Sequence, residues 1–203
     1  MGQPQIDCWI TLGSTYSYLT VMRRREVEER TGVSIRFRPF LLLTLFRELG
    51  YFPFPENSPK TKYMWQDLKR RADMYAIPCN LPAPYPAKQS ILANRVASLG
   101  LREGWGDAFI YESYRQWFQG GQEPGSDANL IEGLRAIGQV PDRVMELAND
   151  VAIDQALMEE TDTARALGIF GAPTFVVGDQ LFWGDDRLED AVSWAKYGRV
   201  NPR

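Results

Sequence analysis

The sequence predicts an α/β fold in which strand-bearing segments at both ends of the chain enclose a long helical middle. Residues 6–12 are mostly β-branched or aromatic, and they lead into a helical pattern that ends before Gly32. Residues 40–152 show only helical patterns separated by glycine and proline. Strand signals return at residues 173–183. This order predicts one mixed sheet assembled from both ends of the chain, with the helical block inserted between them.

The first helix is followed by a second strand. Val33, Ile35 and Phe37 alternate with polar residues until Pro39 stops the pattern, which indicates a strand with one buried face. Strand, helix and strand together form a βαβ unit, in which we expect the two strands to be parallel.

The helical block contains several predicted helices. Ser58 and Pro59 supply an N-cap and a proline at the first helical position of one helix, which continues to Ile77. Further helices are predicted over residues 88–99, 107–119, 127–137 and 141–148. Glycines are expected to mark the ends of three of these helices: Gly100, Gly120-Gly121 and Gly138.

The C-terminal segment predicts a helix, a hairpin and a last helix. The first of these helices ends at Gly168, and a strand follows over residues 173–177. A glycine-aspartate pair then predicts a tight turn into a strand over residues 180–183, and the last helix begins near Asp186.

These patterns divide the chain into three segments. We expect residues 1–43 and 153–203 to form the two parts of one α/β domain, and residues 44–152 to form an inserted helical domain that acts as a lid or second domain.

The composition excludes several classes of protein. A net charge of −3 and a pI of about 5.2 offer no positive field for nucleic acid or an acidic membrane surface. No segment has the roughly 18 consecutive apolar residues of a membrane span, and the N-terminus does not resemble a signal peptide. The only cysteines, Cys8 and Cys79, are far apart, so a reducing compartment and a cytoplasmic location are expected.

The absence of histidine restricts the chemistry most. It excludes Ser-His-Asp and Cys-His nucleophiles together with histidine-ligated metal sites. Two cysteines alone cannot form a structural zinc site, so no metal is expected. Any acid, base or nucleophile must come from carboxylates, Tyr, Ser, Lys or Cys, or from a bound cofactor.

Three motifs carry a resemblance to a known family. Residues 12–19, LGSTYSYL, resemble the serine-bearing active-site turn of the 2-hydroxychromene-2-carboxylate isomerases, which belong to the kappa-class glutathione transferase group. Residues 170–174, FGAPT, resemble the cis-proline loop of that family, and residues 183–188, WGDDRL, resemble its tripeptide-binding segment. The resemblance implies a thioredoxin-like fold with an inserted all-helical domain, and homodimerisation is expected from the family alone.

Two serines stand where redox members of this fold carry cysteines. Ser14 and Ser17 have the C-x-x-C spacing at the first strand-to-helix turn, and hydroxyls cannot form a disulfide. The resemblance implies that Ser14 donates a hydrogen bond to the sulfur of glutathione, the expected cofactor, while the helix N-terminus favours the thiolate. Taken without the resemblance, Ser14 is more simply a helix N-cap.

The resemblance also implies the remaining contacts of glutathione. A cis bond before Pro173 would present the backbone of Ala172 to the cysteinyl backbone of the tripeptide. The γ-glutamyl end, whose ammonium needs an anionic partner, is expected to contact four consecutive residues: Trp183, Gly184, Asp185 and Asp186. Without the resemblance, the two aspartates are equally well explained as helix-capping residues.

Four residues of the helical block are candidates for substrate binding. Arg47 is the nearest candidate for the cation that meets a substrate carboxylate. By family position, Asn57 or Lys60 would orient carboxylates of substrate or glutathione, and Tyr85 would line the substrate pocket beneath the lid. A turn residue, a solvated charge and a core aromatic are the respective alternatives.

The activity implied by the resemblance is glutathione-dependent cis–trans isomerisation of a hydroxyaryl unsaturated 2-oxo acid or related aromatic, through reversible thiolate addition. Thr15 and Thr11 depart from the family pattern, which has proline after the serine and an acidic residue before it. A kappa-like transferase that conjugates electrophiles and a non-catalytic thioredoxin-fold binding protein are the alternatives.

Overall fold

The computed structural model describes residues 3–50, 55 and 57–200. The chain begins with the predicted βαβ unit, in which strand β1 and strand β2 are parallel neighbours in one sheet. The elements of this unit are β1 Gln5–Ile10, α1 Thr15–Thr31 and β2 Ser34–Pro39. Gly32 ends α1 with a φ of +71°, a conformation that glycine adopts without steric cost.

The middle of the chain is helical, as the sequence predicts. Its helices among the described residues are α2 Leu42–Glu48, α3 Pro59–Met74, α4 Ser90–Glu103, α5 Gly106–Phe118, α6 Asp127–Ala136, α7 Pro141–Ala148 and α8 Val151–Ala166. Ser58 caps α3, because its side chain accepts a hydrogen bond from the backbone N–H of Thr61.

The C-terminal segment completes the sheet. Its elements are β3 Thr174–Val177, β4 Gln180–Trp183, a 3₁₀ turn Asp185–Arg187 and α9 Leu188–Tyr197. The strand order is β2-β1-β3-β4, and β3 is antiparallel to both β1 and β4. The prediction of a mixed sheet built from both ends of the chain is therefore confirmed.

Buried side chains cover both faces of β1. Ile6, Cys8 and Ile10 belong to a large apolar cluster that continues through α4, α5 and α6. Trp9 points to the other face and packs with side chains of α2, the end of α8 and Val176. The larger cluster crosses both predicted domain boundaries, and the division at residues 43 and 152 stays a prediction.

The prediction that Gly100 ends a helix is wrong. Helix α4 continues to Glu103, and Gly104 ends it with a φ of +87°. Gly100 is buried where α4 meets α5, and a Cβ atom there would lie 2.5 Å from the Trp105 ring and 2.8 Å from the Gly106 Cα. This glycine permits α4 and α5 to approach closely. The sequence pattern does not distinguish a glycine in such a helix contact from a glycine that ends a helix.

The contact at Gly100 predicts a large loss of stability on substitution. We expect Gly100→Ala to lower the free energy of unfolding by about 1–3 kcal/mol, because the added methyl group overpacks the contact with Trp105. Gly133→Ala in α6 is the matched control, since its nearest neighbour would lie at 3.8 Å and alanine favours a helix by about 1 kcal/mol. Urea denaturation of both variants measures the difference, and equal stability would contradict the proposed role of Gly100.

Candidate active site

Ser14 lies at the N-terminus of α1 and connects the two halves of the sheet. Its Oγ accepts a hydrogen bond from the backbone N–H of Ser17 at 3.4 Å, so the residue caps the helix. The same hydroxyl donates a hydrogen bond to the carbonyl oxygen of Ala172 at 2.7 Å. The peptide bond between Ala172 and Pro173 is cis, as the resemblance implies.

Trp183 and Gly184 lie beside this proline loop. The N–H of Gly184 donates a hydrogen bond to the carbonyl oxygen of Pro173 at 2.9 Å. The Trp183 ring covers Gly171 so closely that a Cβ atom there would lie 2.2 Å from the indole nitrogen. The Phe170 ring also packs against the Trp183 ring, with the two ring centroids 4.9 Å apart. Since Trp183 is 55% exposed, it offers a flat apolar surface next to the loop.

Asp185 faces the interior of the protein, where its carboxylate has partners from α1 and α3. It is only 1% exposed, accepts hydrogen bonds from Arg71 at 2.9 and 3.2 Å, and accepts one from the Thr20 hydroxyl at 3.1 Å. Arg23 lies 3.5 Å away. Burial raises the pKa of Asp185, while the two arginines and Thr20 oppose that rise.

The neighbouring carboxylate of Asp186 has a different environment. Its side chain is 46% exposed, whereas that of Asp185 is buried. Gly184 lies against Asp186, because a Cβ atom on this glycine would lie 2.6 Å from a carboxylate oxygen of Asp186. The structure therefore separates the two predicted ligand contacts into a buried carboxylate and a surface carboxylate, the second of which lies 3.9 Å from the Arg187 guanidinium.

The first residues of α1 pack against α3. The Thr15 hydroxyl donates a hydrogen bond to the Met64 sulfur at 3.1 Å, and the Tyr16 hydroxyl donates one to Asp67 at 3.0 Å. Burial raises the pKa of Tyr16, and the nearby Asp67 raises it further. Neither Tyr16 nor Arg71 has a recognisable role in the sequence alone, because their partners are distant in the chain.

The four predicted substrate contacts come from three parts of the chain. Arg47 is exposed in the last turn of α2, Asn57 precedes α3 with a φ of +61°, and Lys60 is exposed at the start of α3. Tyr85 is partly buried in the proline-rich loop before α4, with its ring 5.9 Å from that of Trp65. Burial raises the pKa of Tyr85 to about 12. A common substrate site for these four residues stays a prediction.

Two open depressions lie beside this proline-rich loop. Their volumes are about 540 and 550 Å³, and both are lined by Lys69, Leu81 and Pro82. Trp65, the ring partner of Tyr85, lines the second depression. An apolar wall with a nearby cation is chemically suited to an aromatic anion, although neither depression is lined by Ser14.

Neither cysteine thiol is activated. Cys8 is fully buried in β1, and burial raises its pKa well above the usual range. Cys79 is partly buried in the loop after α3, and burial raises its pKa as well. Burial therefore favours the protonated form of both thiols.

Across the described ranges, no three or more Asp, Glu, Cys or His side chains are grouped in a way that could hold a metal ion. Within the same ranges, no helix combines the length and the apolar character needed to span a membrane.

The buried ion cluster around Asp185 predicts a strong dependence of stability on Arg71. We expect Arg71→Met to lower the free energy of unfolding by about 3 kcal/mol at neutral pH, because it removes two hydrogen bonds from a buried carboxylate. Loss of the arginine raises the pKa of Asp185 further. The difference in free energy of unfolding between Arg71→Met and the wild type should therefore become smaller at mildly acidic pH, where protonation of Asp185 removes the buried charge.

The neighbouring Arg70 provides the matched control for this prediction. Arg70 pairs with Asp67 at the surface at 3.2 Å, and a surface pair contributes less than about 1 kcal/mol. Urea denaturation of Arg71→Met and Arg70→Met at both pH values measures the difference. If the loss in free energy of unfolding of Arg71→Met does not change with pH, the uncompensated buried charge is not that of Asp185, which would contradict this prediction.

The comparisons with known proteins agree with this geometry. The sequence profile of the DSBA-like thioredoxin domain family matches residues 5–193. A 2-hydroxychromene-2-carboxylate isomerase of Sphingobium xenophagum is 29% identical over 192 residues, which cover 93% of this chain and 96% of that protein. Glutathione S-transferase kappa 1 of Caenorhabditis elegans is 27% identical over 199 residues, which cover 91% of this chain and 88% of that protein.

The fold also matches a solved structure. A selenomethionine structure of 2-hydroxychromene-2-carboxylate isomerase matches with a TM-score of 0.79 at 24% identity, and the match covers 91% of this chain and 90% of that chain. At this identity the structural match concerns the fold alone. The relatives and the fold together confirm the family resemblance drawn from the three motifs.

Proposed function

The chain belongs to the DSBA-like thioredoxin domain family, and we propose that it is a glutathione-dependent cis–trans isomerase. Its substrate would be a hydroxyaryl unsaturated 2-oxo acid or a related aromatic compound. The observation that carries the proposal is the Ser14 hydroxyl at the N-terminus of α1, which lies 2.7 Å from the Ala172 carbonyl oxygen in the cis-proline loop. Burial raises the pKa of both thiols of the chain, Cys8 and Cys79.

The residues around Ser14 fit a bound tripeptide. The backbone of Ala172 offers a carbonyl group with which a peptide backbone can pair. The preceding residue, Gly171, packs against the exposed Trp183 ring, and the carbonyl oxygen of Pro173 accepts a hydrogen bond from the N–H of Gly184. The surface carboxylate of Asp186 is the anionic partner that an α-ammonium group needs. When bound, glutathione supplies a thiolate that adds reversibly to an unsaturated carbonyl compound, which permits rotation about the former double bond.

Ser14 would act as the hydrogen-bond donor to the sulfur atom. Its proton now points to the carbonyl of Ala172, and rotation about the Cβ–Oγ bond can redirect it without moving the backbone. The first amides of α1 have no intrahelical acceptor, and the helix dipole favours negative charge at this end. The hydrogen bond from Ser14 and the N-terminus of α1 would both lower the pKa of a bound thiol, and each unit of pKa corresponds to about 1.4 kcal/mol.

Asp185 and Asp186 would have different roles in binding the tripeptide. Asp186 would contact the γ-glutamyl ammonium directly. Asp185 would hold the 183–186 segment in place, because its carboxylate is bound by Arg23 on α1 and by Arg71 on α3. In this proposal Asp185 supports the ligand contacts without touching the ligand.

A kappa-like glutathione transferase is the second candidate, because the Caenorhabditis elegans relative bears that name at a similar level of identity. The two activities differ in the fate of glutathione. An isomerase returns glutathione unchanged after each turnover, whereas a transferase releases it as part of a conjugate.

The proposed isomerase activity predicts turnover with recycled glutathione that depends on Ser14. With a cis-configured hydroxyaryl 2-oxo acid, we expect product to exceed the glutathione supplied while the free thiol concentration stays constant. Ser14→Ala should lower kcat/KM at neutral pH by about tenfold or more, because loss of the donor raises the thiol pKa by one unit or more. This deficit should decrease as the pH rises towards the thiol pKa.

Ser126→Ala is the matched control, since the Ser126 side chain caps α6 by accepting a hydrogen bond from the backbone N–H of Asn129, outside the proposed site. It should keep kcat/KM within about twofold, because it removes a helix cap of the same kind without changing the glutathione contacts. Product formation can be followed by chromatography and free thiol by a thiol-specific reagent. Stoichiometric consumption of glutathione would establish a transferase, and full isomerase activity in Ser14→Ala would rule out the role given to this hydroxyl.

A further inference from the structure

The turn that carries Ser14 is held by a tyrosine of the helical block. The carbonyl oxygen of Thr11 accepts hydrogen bonds from the N–H groups of Gly13 at 2.7 Å and Ser14 at 2.9 Å. The hydroxyl of Tyr114, on α5, donates to the same carbonyl at 2.7 Å and lies 3.3 Å from the carbonyl oxygen of Ser14. The Tyr114 hydroxyl therefore contacts both ends of the turn.

An asparagine of α4 holds the middle of the same turn. The side-chain oxygen of Asn94 accepts a hydrogen bond from the N–H of Leu12 at 3.0 Å. Its amide nitrogen donates to the Thr11 hydroxyl at 3.2 Å and to the carbonyl oxygen of Ser90 at 2.7 Å. Asn94 and Tyr114 are both buried, so water does not compete for these contacts.

The turn lies too close to the helical block to shift freely. A Cβ atom on Gly13 would lie 3.2 Å from the Cβ of Ser90, so the turn and α4 are already in contact. The Tyr114 ring is fixed by neighbouring rings, with Tyr18 at a centroid distance of 6.4 Å and Trp117 at 5.9 Å. The hydroxyl of Tyr114 therefore has a fixed position relative to the turn.

The contact with the Ser14 carbonyl also fixes the direction of an amide. The carbonyl of Ser14 and the N–H of Thr15 belong to one planar peptide unit and point in opposite directions. The Tyr114 hydroxyl shares its single proton between the carbonyl oxygens of Thr11 and Ser14, and this contact keeps the Ser14 carbonyl towards the interior. The Thr15 N–H is therefore directed away from the interior. This N–H is the first helical amide of α1, which has no intrahelical acceptor.

We propose that Tyr114 and Asn94 are positioning residues that aim the Ser14 hydroxyl and the Thr15 amide at the thiol of bound glutathione. This inference rests on the proposed glutathione-dependent function, and it gives the helical block a part in the chemistry. Burial raises the pKa of Tyr114 well above its usual value, so its hydroxyl remains a donor throughout the neutral range.

The test is the pKa of the bound glutathione thiol, measured by ultraviolet titration of the thiolate in Tyr114→Phe. We expect this pKa to rise by about one unit, which is tenfold less thiolate, while the dissociation constant of glutathione stays within about threefold. The matched control is Tyr111→Phe, which removes a hydroxyl from a 42% exposed residue of the same helix and should leave the thiol pKa unchanged.

The outcomes separate this inference from the proposed function. An unchanged thiol pKa in a folded Tyr114→Phe protein, with a depressed thiol pKa in the wild type, overturns the positioning role alone. Absence of glutathione binding by the wild type overturns both proposals. If Tyr114→Phe does not fold, the same titration of Asn94→Ala decides, because it removes the acceptor of the Leu12 N–H and should raise the thiol pKa in the same direction.

Discussion

The hydrogen bond between the Ser14 hydroxyl and the Ala172 carbonyl brings together two segments that are 158 residues apart, and the proposed site depends on their proximity. The sheet order makes this contact possible. Strand β1 pairs with the antiparallel strand β3, so the turn after β1 and the proline loop before β3 lie at the same edge of the sheet. A thioredoxin-like sheet thus brings together a helix N-terminus and an open peptide backbone, which are the two features that a bound thiol peptide requires.

Residues of the helical block hold two segments at this edge of the sheet in place. Tyr114 and Asn94 hold the turn that carries Ser14 through buried hydrogen bonds, and Arg71 of α3 holds the 183–186 segment through the buried carboxylate of Asp185. Buried polar contacts of this kind specify geometry because any displacement leaves a donor or acceptor without a partner. The block therefore does more than cover the sheet, since it determines where the candidate ligand contacts lie.

Local signals in the sequence were sufficient for most of the elements and for the turn that carries Ser14. Gly32 ends α1, Ser58 caps α3, and the strand after Pro173 begins where the pattern indicates, because caps and alternation depend on neighbouring residues. The burial of Asp185 could not be predicted, since its arginine partners come from α1 and α3. Tyr114 likewise fits an ordinary apolar helix face, and only the fold reveals that its hydroxyl reaches the turn.

A crystal structure of the protein with bound glutathione tests the central claim most directly. We expect the sulfur atom within hydrogen-bond distance of the Ser14 Oγ, the cysteinyl backbone paired with Ala172, and the γ-glutamyl ammonium beside the surface carboxylate of Asp186. A tripeptide bound elsewhere, or one whose sulfur points away from the N-terminus of α1, would contradict it.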